Sequence, residues 1–246
     1  MRITLCFFML AMPVTTYAQD NDLAIEIASD KIGVTVGFNG AGIDVFGDRR
    51  NKDNDVIIVV EGPNKNITMW QKARVMGAWI NRYSVDYKDI PSYYSYAYSG
   101  SDEKNALLSA SGIGHEGLFK LLNAKSKAKA KVKNVGAFNA ALLNKKQKRE
   151  LYFKEPSRIV FLNEYFFRVH FDIPPSAPTG TYKIHSFLVQ NGQVIKKESD
   201  VLNVEQVGLN AFVYQAARRH SFLYALICIM IGVFSGWLVS VLKVKP

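Results

Sequence analysis

Cysteine is nearly absent from this sequence, because its 246 residues contain only Cys6 and Cys228. Both lie in apolar segments near the ends, so the long portion between them has none. That portion cannot form a disulfide, and without Cys/His clusters it cannot hold a structural zinc ion. It must be stabilised by a hydrophobic core, for which about 200 residues suffice, as one large or two small domains.

The sequence also lacks the motifs by which several enzyme classes are recognised. No GxSxG, HExxH or Walker motif occurs. The glycine-rich stretch GFNGAGIDVFG, residues 37–47, lacks the third glycine of a dinucleotide-binding motif after Gly40 and Gly42, and the residues after it favour strands. We interpret it as a β-turn region. The sequence therefore predicts neither a catalytic activity nor a cofactor.

The chain begins with a short apolar segment. Residues 1–18, MRITLCFFMLAMPVTTYA, contain one basic residue, an apolar run and a small-residue exit that ends at Ala18. This pattern predicts a secretory signal peptide that is cleaved before Gln19. The apolar run, of about a dozen residues, is shorter than the roughly 20 that cross a bilayer as a helix.

A longer apolar segment, residues 222–242, lies near the other end and contains no charged residue. As a helix it spans about 31 Å, which matches the hydrocarbon core of a bilayer. Basic residues flank it about equally on both sides, so they do not fix its orientation. The predicted signal peptide does, because residues 19–221 are then exported and only residues 243–246 remain in the cytoplasm. The sequence predicts a single-pass membrane protein.

Small residues recur at every fourth position of the predicted span: Cys228, Gly232, Gly236 and Ser240. On a helix they form one ridge, which we call the small-residue ridge, and GVFSG within it is a GxxxG motif. Spans associate in lipid largely by close packing at such residues. The ridge predicts association with a second copy of the chain or with a permease helix.

Short apolar and β-branched runs separated by turn residues predict strands in residues 23–100 and again after Glu155. The stretch FFRVHFDI alternates strictly, with Phe167, Val169, Phe171 and Ile173 on the face that is expected to be buried. Asn191-Gly192 favours a type I′ turn between two strands. Together with the strand spacing of roughly ten residues, these signals predict a mainly β protein, an immunoglobulin-like sandwich that is either one interrupted unit or two small ones.

Residues 101–153 lose the β-branched character and gain alanine, leucine and lysine, which predicts a helical basic insert. One helix is expected through DEKNALLSAS to about Gly112, and another from about Ala137. The predicted organisation is a signal peptide (1–18), an N-terminal β-sandwich region (19–100), the insert (101–153), a C-terminal β region (154–206), a juxtamembrane helix (207–221), the span (222–242) and a cytoplasmic tail (243–246).

The insert contains ten basic residues and no acidic one between Lys120 and Arg149, which equals the formal net charge of +10 of the whole chain. We interpret it first as an exposed, mobile and protease-sensitive connector. The second interpretation is contact with an anionic membrane surface or partner. The lysines concerned are Lys125, Lys127, Lys129, Lys131 and Lys133. Nucleic acid is not expected, because an exported segment does not meet it and no aromatic residues lie between the lysines to stack on bases.

His170 and His185 fall on the polar faces of predicted strands, with Asp172 beside the first. Two imidazoles and a carboxylate are a sufficient ligand set for zinc or copper. The alternative function is therefore a periplasmic metal-binding protein or enzyme that uses these residues. Solvated surface histidines give the same pattern, so no metal site is assigned.

Several stretches together resemble a family of alphaproteobacterial single-span transmembrane proteins of about 250 residues with a signal peptide and a C-terminal anchor. They are GFNGAGIDVFG, EGP, MWQKARVMGAWIN, IPSYYSYAYS, LYFKEP and FFRVHFDIPPSAPTGTY. The resemblance implies a location in the inner (cytoplasmic) membrane with the N-terminal domain in the periplasm. It also implies an accessory role beside a sulfite-exporter-like permease, and it carries over no catalytic residue. We therefore expect a membrane-anchored periplasmic β-sandwich that acts as a binding or accessory module.

Overall fold

The computed structural model describes residues 23–35, 37–100, 112–129, 132, 134–208, 213–214 and 217–241. The predicted signal peptide with its cleavage site, the first predicted helix up to residue 111, Lys131 and Lys133, and the predicted cytoplasmic tail lie outside these residues.

The described residues form twelve named strands and three named helices. Strands β1 to β7 are Ala24–Ile27, Lys31–Val34, Ala41–Asp48, Asp55–Glu61, Asn64–Val75, Ala78–Pro91 and Tyr94–Tyr98. Helix α1 is Gly114–Lys125, strand β8 is Ser126–Lys129, and helix α2 is Val135–Gln147. Strands β9 to β12 are Ser157–Phe161, Phe166–Ile173, Gly180–Gln190 and Gln193–Gln206, and helix α3 is Ser221–Val241.

The local patterns explain several of these elements. In β10, buried and exposed residues alternate along the whole strand, with Phe167, Val169, Phe171 and Ile173 buried as predicted. Strands β11 and β12 form a hairpin whose turn residues, Asn191 and Gly192, both have positive φ, at 48° and 86°. This is the backbone conformation that a type I′ turn requires.

The strand order is that of an immunoglobulin-like sandwich. Nine strands are linked in the order β1-β3-β10-β9-β7-β4-β11-β12-β2. The first four strands correspond to the A, B, E and D strands of an immunoglobulin sheet, and β12-β11-β4-β7 corresponds to G, F, C and C′. Among the described strands, only a two-residue parallel pairing, between β7 and β9, connects these two halves. Strands from both β regions of the chain share each half, so the protein contains one interrupted sandwich.

The core lies between the two halves and is rich in aromatic and β-branched residues. Among its fully buried side chains are Val45, Ile58, Phe167 and Ile184. Tyr182, at the start of β11, is also buried, and its hydroxyl donates a hydrogen bond to the carbonyl of Pro178 at 2.7 Å. A tyrosine at this position that bonds back to the preceding loop is a hallmark of immunoglobulin-like domains.

A second, three-stranded sheet, β5-β6-β8, lies outside the sandwich. It is built on the long β5–β6 hairpin, which interrupts the sandwich between β4 and β7. The helices pack against it: Tyr87 of β6 donates a hydrogen bond to Asn139 of α2 at 2.7 Å, and Asn139 is in turn hydrogen-bonded to Asn123 of α1. The sequence pattern identified β5 and β6 as strands, but strand character alone does not reveal which sheet a strand joins.

The predicted mobile connector is wrong for the described part of the lysine-rich segment. Ser126–Lys129 forms strand β8 and pairs antiparallel with β6, from Ser126 opposite Tyr87 to Lys129 opposite Ser84. The alternation of lysine with small residues is the period of a strand. Its pairing partner lies some 40 residues earlier in the chain, so the local sequence did not show it.

Candidate binding surfaces

His170 lies on the exposed face of β10. Its Nδ1 is 2.9 Å from Oδ1 of Asp44 on the neighbouring strand β3, and its Nε2 is 3.4 Å from Oδ1 of Asp172. The hydrogen bond with Asp44, helped by the charges of both carboxylates, raises the pKa of His170. Because both ring nitrogens face carboxylates, this arrangement favours an imidazolium ion over the neutral imidazole that a metal needs.

His185 lies on the outer face of β11, where it borders a cleft of about 320 Å³ between that face and α1. Its Nδ1 is 2.7 Å from Oγ of Ser199. Burial, and then the charges of Lys197 and Lys183, lower the pKa of His185. Glu61 also lines the cleft, and burial raises the pKa of its carboxyl although the two lysines act in the opposite direction. The cleft thus contains a carboxyl group, an imidazole and an ammonium group. Among the described residues, no third metal-ligating side chain accompanies Glu61 and His185.

The structure does not bring the two predicted histidines together. His170 and His185 lie in different halves of the sandwich, each on the outer face, because their sequence neighbours Val169 and Ile184 point into the core. Sandwich sheets pack about 10 Å apart, so outward side chains on opposite sheets cannot share one ion. Within the described residues no three His, Cys, Asp or Glu side chains are grouped so that they could hold a metal.

Two of the predicted anionic-surface lysines, Lys125 and Lys129, form ion pairs with aspartates of β6. Nζ of Lys125 is 3.0 Å from Oδ2 of Asp89, and Nζ of Lys129 is 2.6 Å from Oδ2 of Asp86. Hydrogen bonding to these ammonium groups lowers the pKa of both aspartates. Lys127 is exposed on β8. Lys129 therefore helps to fix β8 beside β6, and Lys125 joins the end of α1 to β6 as well.

The outer part of the β5–β6 hairpin, residues 70–82, is a surface that the sequence analysis did not single out; we call it the hairpin tip. Its large apolar side chains are exposed: Trp70 by 55%, Met76 by 102%, Trp79 by 68% and Ile80 by 46%. Helix α2 covers only the inner part of the hairpin, and an open apolar groove of about 440 Å³ separates it from the sheet beside Trp70. Clustered exposed side chains of this size mark interaction surfaces.

Helix α3 is the candidate membrane span. All of Ser221–Val241 is exposed, and it is long and apolar enough to cross a bilayer. A Cβ atom placed on Gly232 or Gly236 would meet nothing within 4 Å among the described residues. The small-residue ridge is therefore uncovered, and its two glycines leave an open groove on the surface of this helix.

A β domain joined to one membrane-length apolar helix defines a class of membrane-anchored β proteins. Residues 22–244 match the family described as "Putative transmembrane protein (Alph_Pro_TM)", and the chain belongs to this family. This match confirms the resemblance inferred from the sequence motifs. The chain is accordingly a transmembrane protein with a β domain and a C-terminal apolar helix.

Among proteins with curated descriptions, none matches the chain. Among solved structures, domain 1 of VCBP3 from Branchiostoma floridae is similar at 9% identity, covering 76% of this chain and 96% of that one with a TM-score of 0.26. A score of this size carries no argument about the fold. The assignment to the immunoglobulin-like sandwiches rests on the strand order and on the Tyr182 hydrogen bond.

A local signal for the hairpin tip is present in the sequence. Trp70 and Trp79 flank a stretch in which Met76-Gly77 forms the turn, with φ of 51° and 86°. The β-strand pattern on both sides of this turn predicts a hairpin. What the pattern does not give is exposure, because a tryptophan in a strand is more often part of a core.

Proposed function

We propose that this protein is an exported β-sandwich, anchored in the inner membrane by α3, that acts as a binding or accessory module for another membrane protein such as a permease. The observation that carries the proposal is α3 itself, on which Cys228, Gly232, Gly236 and Ser240 form a ridge with an open groove. In lipid, close packing at small residues is a main source of helix association. Membership of a transmembrane family supports the anchor, and the signal peptide predicted in residues 1–18 supports export.

The proposal does not include a metal-dependent activity. His170 faces two carboxylates and His185 lies on the opposite sheet, so the predicted ligand set is not assembled. A binding role needs an anchor and an exposed surface, and the chain has both.

Purification of the full chain in mild detergent tests the proposal. We expect a stoichiometric membrane protein to co-purify, and replacing both Gly232 and Gly236 by leucine should reduce its recovery because the leucines fill the groove. The matched control is Met230→Leu with Phe234→Leu, which places leucines on the opposite side of α3 and should leave recovery unchanged. Equal recovery with both pairs of substitutions would show that the ridge does not hold the partner.

Self-association is the other outcome of the ridge. Cys228 is exposed and is the only cysteine outside the predicted signal peptide, so it reports a second copy directly by crosslinking. Mass spectrometry of the same membrane fraction tests export, because we expect Gln19 to be the N-terminal residue. Recovery of an intact Met1 peptide from that fraction would contradict cleavage.

A further inference from the structure

The hairpin tip combines exposed apolar rings with positive charge. Lys72, Arg74 and Arg82 lie between Trp70 and Tyr83, and Arg74 is directly opposite Trp79 in the strand register. The sequence contains no aspartate or glutamate from residue 62 to residue 85. Single exposed apolar residues are common on proteins, but two tryptophans, a methionine and an isoleucine around one turn are not. The surface fits a partner that is apolar within and negatively charged at its boundary.

The hairpin leaves the sandwich at the end from which the chain continues toward α3. Glu61, the last residue of β4, is paired with Lys183 near the start of β11, and Lys183 is paired with Val201 near the end of β12. The hairpin begins at Asn64, directly after β4, and β12 ends at Gln206. The base of the hairpin and the exit of β12 therefore lie at the same end of the sandwich.

The connection to α3 keeps this end close to the membrane. Residues 208–220 join the sandwich to the span, and even fully extended they reach about 45 Å at most. Residues 213–214 and 217–219 are helical, which shortens this reach. Strand β5 contains 12 residues and is thus roughly 40 Å long. The hairpin is thus about as long as the greatest distance that residues 208–220 allow between the sandwich and α3.

We propose that the hairpin tip inserts into the head-group layer of the bilayer in which α3 is anchored, and so forms a second membrane contact of the β domain. Tryptophan rings favour the interface between head groups and acyl chains, because one part of the ring system is apolar and the indole N–H is polar. The flanking lysine and arginines attract anionic lipid phosphates, which supplies the charge complementarity. The inference needs the membrane anchor but not a protein partner, since the tip and the small-residue ridge are separate surfaces.

The distribution of tryptophan makes the proposal directly measurable. The chain has three tryptophans, of which Trp70 and Trp79 lie in the hairpin tip and Trp237 in α3. In a full-length Trp237→Phe variant, all tryptophan emission therefore comes from the tip. We would reconstitute this variant in vesicles of phosphatidylglycerol and phosphatidylcholine, with and without brominated acyl chains. We expect a blue-shifted emission that brominated lipid quenches by about twofold.

Two control variants distinguish a hairpin tip that does not enter the bilayer from a helix α3 that has not inserted. A Trp70→Phe and Trp79→Phe double variant retains only Trp237, and its quenching by brominated lipid reports that α3 has inserted. A Lys72→Ser, Arg74→Ser and Arg82→Ser variant in the Trp237→Phe background should be quenched less in anionic vesicles, and the unsubstituted tip should lose quenching as salt increases.

Quenching of the tip by brominated lipid, lowered by the charge substitutions, supports the membrane contact. Emission that stays red-shifted and insensitive to brominated lipid while Trp237 is quenched overturns it. A blue shift that depends on the protein-to-lipid ratio without lipid quenching also overturns it, because the occupant is then a second copy of the chain.

Discussion

Lys146 brings an amine into the interior of the molecule, at the C-terminal end of α2. Its Nζ donates a hydrogen bond to the carbonyl of Ser92 at 3.0 Å and lies 5.1 Å from the ring centroid of Tyr152. Tyr152 in turn donates to the carbonyl of Pro91. These contacts fasten the end of α2 to the chain between β6 and β7. Lys146 thus links the helical layer to the segment between β6 and β7.

We expect Lys146 to make stability depend on pH. Burial, with the charges of Arg149 and Lys65, lowers the pKa of Lys146 from 10.5 to about 8. Between these values the unfolded chain holds more protons on this group than the folded chain does, so its contribution to the free energy of unfolding rises with pH. In Lys146→Met this rise should disappear. The difference between the two proteins should change by on the order of 2 kcal/mol from about pH 8 to about pH 10.

Urea denaturation of both proteins at several pH values checks this prediction. Buried tyrosines such as Tyr93 and Tyr94 have raised pKa values, so they act in the opposite direction above about pH 10, but equally in both proteins. The exposed Lys154 provides a control, because Lys154→Met should leave the pH dependence as it is. A wild-type minus Lys146→Met difference that stays constant with pH would contradict the assigned environment of the amine.

At the scale of elements, β8 lies beside two aspartates of β6 that form ion pairs with lysines of the insert. The insert itself has no acidic residue between Lys120 and Arg149. Asp86 pairs with Lys129 of β8, and Asp89 pairs with Lys125 at the end of α1. Exposed ion pairs of this kind are individually weak. The strand is also at the edge of its sheet. We expect trypsin to spare Lys127 and Lys129 in the wild type, and to cut there faster in an Asp86→Asn and Asp89→Asn double variant. Mass spectrometry of timed digests measures this.

Glu164→Gln, which removes an exposed carboxylate far from β8 in the sequence, is the matched control for the double variant and should not change the cleavage pattern. Equal cleavage at Lys127 and Lys129 in all three proteins would mean that the ion pairs do not hold β8. Rapid cleavage at Lys127 and Lys129 in the wild type would instead support the exposed, mobile connector that the sequence predicts.

The elements that the sequence predicts well are those whose pattern is complete within one segment. The alternation in β10, the Asn191-Gly192 turn and the uncharged run of α3 each carry their own signal. The elements it misses depend on distant residues. Strand β8 needs β6, and the exposure of Trp79 follows from where the helices end on the hairpin. The alternative ligand set of His170, Asp172 and His185 is not assembled for the same reason, because the alternation gives the face of a strand but not the sheet to which it belongs.

At the scale of the whole molecule, the sandwich is closed by strands from both ends of the β domain. Strand β3 pairs with β10 along eight residues, and β4 pairs with β11 along seven. The β5–β6 hairpin and strand β8 form the second sheet, and helix α1 lies against the outer face of β11. Neither β region of the sequence contains a complete half of the sandwich.

This arrangement predicts that the domain folds only as one unit. A fragment of residues 19–100 would lose β10 and β11, and would leave unpaired the edge hydrogen-bonding groups of β3 and β4 that pair with them. We expect residues 19–208 to unfold in a single cooperative transition by circular dichroism, and residues 19–100 alone to show none. Residues 19–100 and 112–208, produced together, are the informative control, because association of the two fragments should restore the transition. A cooperative transition in the isolated 19–100 fragment would instead reveal two small sandwiches, each with a core of its own.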